Sequence, residues 1–244
     1  MEVTDKKGIN SAQLKRAKNL AVTFLNLPME LSEIGNFMVY HPFFEMAFLN
    51  DENGLFHALE EPERFMSYKK AFEKNIIEPC DSLNHLLALV RKSYRLTFLK
   101  YLLEHGIVTM RECGNLLAEQ WTRIENINHD VNVSKKQVLK WIKNADKTCI
   151  MDEQDMETYR SLDSEVTIYR GCQKGGKEGI SWTLDKTKAD WFARRWLRED
   201  EHGYVYTAKI NKKDIIAYVD ARHEKEVIID FRKIYDVKRE VTIK

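Results

Sequence analysis

The residues best suited to catalysis or ligand binding lie in the last third of the chain. They are two acids, an arginine and two hydroxyl residues. Glu224 and Glu226 lie two positions apart before an apolar run, so on a strand they would face the same side. Like charges so close repel each other, which a purely structural strand would avoid. One carboxylate can stabilise developing positive charge while the other orients or deprotonates an attacking group. A solvated strand end is the alternative interpretation.

The arginine and the hydroxyls lie at the ends of two further predicted strands. Arg170 precedes Gly171, so its guanidinium can turn toward a ligand while the backbone bends closely past it. Ser181 and Thr183 share one strand face and can brace a carboxylate or contact a ligand. The alternatives are a surface arginine before a turn and a strand whose hydroxyls precede a helix cap at Asp185.

Short strands and one helix carry these residues. After residue 163 the sequence alternates with a period of two, which predicts strands. The segment 186–199 instead has Ala189, Phe192, Ala193 and Trp196 on one side of a helix. The predicted strands are 165–170, 179–183, 203–210, 214–219, 225–230 and 238–243.

The chain before about residue 160 has the three-and-four spacing of amphipathic helices. Cap residues indicate where several begin: Asp81 or Ser82, then Thr109, Ser134 and Asp152. A packed helical core explains the Leu, Phe and Trp stripes better than a cofactor site does. The predicted helices are 11–27, 82–104, 109–125, 134–143 and 152–161.

Charge, cysteine content and the length of apolar runs exclude several classes of protein. The formal net charge is +1, and residues 151–244 carry 19 basic and 19 acidic side chains, so neither part has the footprint of a nonspecific nucleic-acid binder. The four cysteines form no C-x-x-C pair and no H-E-x-x-H motif occurs, so no metal is expected. Residues 1–8 lack an apolar signal segment and no apolar run approaches ~18 residues. A cytoplasmic protein without membrane partners is therefore expected.

Taken in chain order, the three pieces resemble a known enzyme class. The arginine–glycine pair, the two hydroxyls followed by a helix, and the two acids followed by an apolar strand are similar to the motifs of Arg–Ser–Glu mono-ADP-ribosyltransferases. The resemblance covers about residues 164–244. It implies an α+β protein, with a helical N-terminal domain at 1–150 and a small mixed or antiparallel β-sandwich catalytic domain, ADP-ribosyltransferase-like, at 151–244.

The resemblance implies NAD as a substrate and a catalytic role for three residues. Glu226 would be the catalytic carboxylate, stabilising the positive charge that builds on the ribose as nicotinamide leaves. Ser181 would position Glu226 or the nicotinamide-side ribose. Glu224 would face the acceptor nucleophile, and an acid at this position favours arginine as the acceptor. Tyr218 is a candidate aromatic contact to the acceptor, whereas His223 is better explained as a turn residue.

The resemblance also implies how NAD would be bound. Arg170, next to Gly171, would hold a phosphate or the adjoining ribose through its bidentate fork. Ser181 and Thr183 would lie against the ligand, with Thr183 standing where the family usually has a second serine. Phe192 would pack near the nicotinamide pocket.

The predicted function is transfer of ADP-ribose from NAD to a macromolecule, with protein arginine favoured and nucleic acid possible. The helical region as a whole resembles uncharacterised phage or prophage proteins, which suggests a toxin, phage effector or defence component. That region would recognise the target, shield the site, or bind an antitoxin or chaperone. The alternatives are a NAD glycohydrolase, with water as acceptor, and an inactive nucleotide-binding or interaction module.

Overall fold

The computed structural model describes residues 11–33, 35, 37–124, 127, 130–173, 176–199 and 201–243, so residues 1–8, where no signal segment was expected, lie outside the described part. The chain combines helices with antiparallel sheet, as an α+β protein does. Contacts divide it into two compact units, Met1–Leu116 with Arg123–Glu125, and Leu117–Thr122 with Asn126–Lys244. No helix in the described residues is long and apolar enough to cross a membrane.

Helices form most of the first unit, and the last of them, α5 (Met110–Glu119), continues from it into the second. Thr109 and Glu112 cap α5 reciprocally, since each side chain accepts the other residue's backbone N–H, at 3.2 and 2.7 Å. The helices are α1 (Ser11–Leu25), α2 (Pro62–Phe72), α3 (Leu83–Leu89), α4 (Arg95–Glu104) and α5 (Met110–Glu119).

Two small antiparallel sheets interrupt the region that the spacing predicted to be helical throughout. Strands β1 (Glu30–Leu31) and β2 (Val39–Tyr40) pair with each other, and β3 (Phe48–Asp51) forms a hairpin with β4 (Gly54–His57). The prediction was wrong for this segment because its strands are only two to four residues long, too short to show a period.

The predicted helix 82–104 is also broken, into α3 and α4. Ser82 caps the first part by accepting the His85 N–H at 3.2 Å. Val90 is extended at the break, and the buried Arg95 guanidinium donates to the carbonyls of Val90 and Ala88 at 2.9 and 3.0 Å. Apolar spacing continues across the break, so the periodicity did not reveal it.

The second unit contains the remaining helices. Those at Lys135–Ile142, Glu153–Ser161 and Lys186–Arg194 start at the predicted caps, whereas the short helix at Lys147–Ile150 was not predicted. Ser134 and Gln137 form a capping box, Asp152 accepts the Asp155 N–H at 2.8 Å, and Asp185 accepts the Thr187 N–H at 2.9 Å. The last helix ends at Arg194, not at the predicted residue 199. These helices are α6 (Lys135–Ile142), α7 (Lys147–Ile150), α8 (Glu153–Ser161) and α9 (Lys186–Arg194).

One antiparallel sheet of six strands, in the order β10-β7-β5-β6-β9-β8, organises the second unit. All of its ladders are antiparallel. Helix α9 packs on β5 and β7 through buried Ala189, Ala193 and Val205. The strands are β5 (Glu165–Cys172), β6 (Ser181–Thr183), β7 (His202–Asn211), β8 (Ile215–Val219), β9 (Glu226–Ile229) and β10 (Tyr235–Ile243).

The sheet is nearly divided into two halves. Strands β5 and β7 pair along eight residues, but β5 and β6 share only the pair Tyr169–Thr183. The hydrogen bonds therefore form a single sheet, where the predicted sandwich implied two. The halves β10-β7-β5 and β6-β9-β8 are joined by that one residue pair, and the strands separate beside it.

The compact units do not divide at residue 150, the predicted domain boundary. The segments Leu117–Thr122 and α6 to α8 belong to the unit that contains the sheet. The predicted boundary at residue 150 divided the chain by function, into a recognition domain and a catalytic domain. That functional division stays a prediction.

Candidate functional site

A cleft of about 230 Å³ opens in the second unit where β5 and β6 separate. Residues from β5, β6, β9, helix α9 and the turn before β9 line it. The structure brings together all seven site residues that the sequence predicted, although they are up to 56 positions apart in the chain. They are Arg170, Gly171, Ser181, Thr183, Phe192, Glu224 and Glu226, and Tyr169, Trp182 and Arg222 also line the cleft.

Arg170 spans the gap between the two strands. Its Nη1 donates to the Ser181 carbonyl at 2.6 Å and its Nε to the Gly176 carbonyl at 3.3 Å. Gly179 lies so close to the guanidinium that a Cβ there would overlap it. Nη2 donates to none of the residues that the structure describes. The guanidinium is therefore held in place by two backbone carbonyls, and among the described residues none occupies its second terminal nitrogen.

Gly171 is required by packing, not by a turn. It lies inside β5, opposite Val205, and not at the strand end that the sequence suggested. A Cβ on Gly171 would overlap the Ala189 carbonyl oxygen of α9. Helix α9 can thus lie directly on β5, which brings half-buried Phe192 to the cleft wall beside Arg170.

Glu226 is the buried acid of the site, with only 4% of its surface exposed. It begins β9 and is paired with Thr183 on β6 and Val219 on β8. The Trp121 indole N–H donates to its Oε1 at 3.0 Å, and the Ser181 hydroxyl hydrogen-bonds its carboxylate. The predicted positioning of Glu226 by Ser181 is thus present as a contact.

Opposing influences set the charge of Glu226. Burial raises its pKa, and the nearby Glu224 charge adds to this effect. The hydrogen bonds from Ser181 and Trp121, and the positive charge of Arg222, lower the pKa and favour the carboxylate. Burial lowers the pKa of Arg170, while the Glu226 charge raises it. The Glu226 charge therefore favours the ionised guanidinium of Arg170.

Glu224 is not on the strand with Glu226, so the prediction of a shared strand face was wrong. Strand β9 begins at Glu226, and Glu224 lies in the preceding turn between His223 and Lys225, both of which have positive φ. The Asp220 carboxylate accepts the Lys225 N–H at 2.7 Å and fixes this turn. The turn, and not strand alternation, brings Glu224 to the cleft.

Thr183 positions this turn instead of presenting its hydroxyl to the cleft. Its Oγ1 donates to the Glu224 carbonyl at 2.6 Å and accepts the Asp185 N–H at 2.9 Å. The hydroxyl proton is thus committed to the backbone of Glu224. Thr183 therefore links β6 to the start of α9 and to the turn that carries Glu224. These hydrogen bonds do not serve the contact with NAD that was predicted for Thr183.

Two site residues were missed by sequence reasoning. Arg222 Nη2 donates to Glu224 Oε2 at 2.8 Å and lies 3.8 Å from Glu226 Oε2. The position of Arg222, two residues before Glu224 and four before Glu226, was the signal by which the sequence could have identified it. Trp121 lies 105 positions from Glu226, and nothing local connects the two.

The two secondary candidates do not line the cleft. Tyr218 is buried on β8, and burial raises the pKa of its phenol to about 12. Its side chain is therefore not exposed to meet an acceptor. His223 is exposed in the turn with φ of 54°, in keeping with a turn residue.

No group of three or more His, Cys, Asp or Glu side chains in the described part of the chain is arranged to hold a metal ion. None of the family models, curated proteins or solved structures compared with the chain matches it.

Proposed function

We propose that this protein is an NAD-dependent mono-ADP-ribosyltransferase, with an ADP-ribosyltransferase-like catalytic fold. One observation carries the proposal: Arg170, Ser181 and Glu226 line one cleft, with Glu224 at its side. The cleft combines an anion-binding group, a buried carboxylate and a second carboxylate beside the first. These groups suit the cleavage of a glycosidic bond to a phosphorylated ribose.

Glu226 would act on the ribose. Loss of nicotinamide leaves positive charge on the ribose, and a carboxylate already in place stabilises that charge without reorganising. The low exposure of Glu226 strengthens this interaction because little water screens it. The hydrogen bonds from Ser181 and Trp121 orient the carboxylate and favour its ionised form against the effect of burial.

Arg170 and Phe192 would bind the dinucleotide. Nη2 of Arg170, which donates to none of the described residues, suits a phosphate oxygen, and an aromatic wall suits the nicotinamide ring. The cleft, at about 230 Å³, is smaller than the roughly 300–1,000 Å³ typical of ligand pockets. We infer that it holds the nicotinamide end and that the rest of NAD lies on the open surface.

The proposed acceptor is an arginine of a macromolecule. Glu224 already binds a guanidinium, that of Arg222, at 2.8 Å. A carboxylate in that position can orient a guanidinium and take its proton, which the reaction requires because guanidinium is otherwise protonated. Nucleic acid is the less favoured acceptor.

The biological setting rests on the resemblance alone. A toxin, phage effector or defence component is proposed, working in the cytoplasm, with the helical N-terminal region binding a target, an antitoxin or a chaperone. A NAD glycohydrolase and an inactive module remain the competing hypotheses, and they differ in the fate of NAD.

Replacing the catalytic acid tests the proposal. Glu226→Gln should reduce nicotinamide release by about 100-fold or more, because the amide cannot supply the charge that stabilises the ribose cation. The fold should be retained, since the amide oxygen can still accept from Trp121. Release of nicotinamide from NAD is measured beside circular dichroism.

Glu240→Gln is the matched control, because Glu240 is a half-exposed acid of β10 that pairs with Lys186 at the surface, away from the cleft lining. It should leave turnover unchanged. Equal turnover by Glu226→Gln and the unmodified protein would reject the assignment. ADP-ribose recovered only free in solution would identify a glycohydrolase, and ADP-ribose on protein a transferase.

A further inference from the structure

An arginine of the chain itself occupies the acceptor side of the cleft. Arg222 Nη2 lies 2.8 Å from Glu224 Oε2 and 3.8 Å from Glu226 Oε2, so one nitrogen faces both acids. Its Nη1 lies 3.4 Å from the Thr122 carbonyl oxygen. A guanidinium acceptor would have to approach these same two carboxylates.

Arg222 is not needed to shape the turn that carries it. The turn is fixed by Asp220, whose carbonyl accepts the His223 N–H at 2.8 Å and whose carboxylate accepts the Lys225 N–H at 2.7 Å. Thr183 holds the Glu224 backbone from β6. The Arg222 side chain is 50% exposed, so its ion pairs are solvated and readily exchanged. Its guanidinium can thus stay at the acids or leave them without unfolding the turn.

We propose that Arg222 is a self-modification site, the guanidinium to which the enzyme first transfers ADP-ribose. This inference rests on the proposed function. The nitrogen that faces both acids lies next to the carboxylate that would stabilise the ribose cation. A modified Arg222 would carry its ADP-ribose at the cleft, where it would obstruct further NAD and acceptor arginines. The modification would therefore also limit the enzyme's own activity.

The step balances as an N-glycosyl transfer. The C1′–N bond of NAD breaks, and its electron pair leaves with neutral nicotinamide. Glu224 takes one proton from Arg222 Nη2, and the nitrogen lone pair forms the new bond to C1′. The alkylated guanidinium keeps its positive charge, and the proton passes from Glu224 to water. No oxidant, reductant or second co-substrate is needed.

Mapping the modification on the intact, unaltered chain tests this proposal. The purified protein is incubated with labelled NAD, nicotinamide release is measured, and peptides are sequenced by mass spectrometry. We expect the peptide containing Arg222 to be labelled first and to approach one ADP-ribose per chain. Exposed Arg195, which stacks on Trp191 and Trp196, should be labelled far more slowly.

Concentration dependence shows whether the acceptor is in the same molecule. The fraction of Arg222 modified per minute should stay constant over a 100-fold dilution of the protein, because the reacting groups share one chain. The unaltered chain should not label Arg222 of an isotopically heavy Glu226→Gln chain mixed with it. Labelling that slows with dilution, or that appears in the Glu226→Gln chain, would overturn transfer within one molecule.

The outcomes separate the two proposals. Nicotinamide release with no label at Arg222, or with equal label on all exposed arginines, overturns self-modification and leaves the proposed function standing. Absence of nicotinamide release under all conditions overturns both. Preferential label at Arg222, independent of dilution, supports both.

Discussion

Under the proposed function, the charge of the buried Glu226 controls the activity of the cleft. Glu226 must be a carboxylate to stabilise a ribose cation, but burial raises its pKa and favours the neutral acid. Activity should therefore increase as pH rises through the elevated pKa of this group. The hydrogen bonds from Ser181 and Trp121 oppose the burial effect and move that increase to lower pH.

Trp121→Phe tests this balance at a single residue. Phenylalanine keeps most of the buried volume but loses the N–H donated to Glu226 at 3.0 Å. A hydrogen bond to a charged group is worth about 1.5–3 kcal/mol, so we expect at least about a tenfold loss of nicotinamide release near neutral pH. The acid limb of the pH–rate profile should move to higher pH, because the carboxylate form has lost a donor.

The control for this change is Trp141→Phe. Trp141 is equally buried, in α6 of the same unit, and does not contact Glu226. It should lower the melting temperature without moving the pH profile. A Trp121→Phe protein whose acid limb coincides with that of the unaltered protein would show that the indole only fills space.

At the scale of elements, the site depends on a helix lying directly on a strand. Gly171 lets α9 approach β5 closely, and α9 brings Phe192 to the wall of the cleft. The start of α9 is fixed by Asp185, which Thr183 holds in turn. A shift of α9 would therefore change the wall of the cleft and the support of Glu224 together.

Gly171→Ala should destabilise the protein by about 1–3 kcal/mol, because the added methyl overlaps the backbone of α9 and the helix must move. Thr167→Ala, on the exposed face of the same strand, should change stability by less than about 0.5 kcal/mol. Denaturant unfolding measures both. Equal stabilities of the two variants would mean that α9 does not depend on this close approach.

At the scale of the whole molecule, the residues that support the proposed site are not confined to residues 151–244, the predicted catalytic domain. Trp121 belongs to the compact unit that contains the sheet, although it precedes residue 151. The helices α6 and α7 belong to that unit too, and Lys143 after α6 pairs with buried Asp230 at 2.7 Å. The unit that we expect to work as an enzyme therefore begins near residue 117.

Two shortened chains test this expectation. Residues 117–244 should unfold cooperatively and release nicotinamide, because they keep Trp121 and the helices of the unit. Residues 151–244 should be much less stable and at least about tenfold less active, because Glu226 loses its indole donor and Asp230 its lysine. Comparable activity of the two chains would place the boundary near residue 150, as the sequence predicted.

The sequence by itself determined the features that depend on neighbours in the chain. Caps at Ser82, Thr109, Ser134, Asp152 and Asp185 mark helix starts in the structure, because capping joins residues only two or three positions apart. The alternation after residue 163 predicted all six strands of the sheet. The seven candidate site residues were predicted from their order along these elements and from the resemblance, and the structure places them around one cleft.

Only the tertiary structure decided the features that depend on distant partners. The Trp121–Glu226 hydrogen bond joins residues 105 positions apart, and the break before Arg95 depends on its guanidinium binding the freed carbonyls. The cleft exists because β5 and β6 separate after one pair, which no period in either strand encodes. Local patterns report local geometry, whereas burial and charge around Glu226 result from packing of the whole unit.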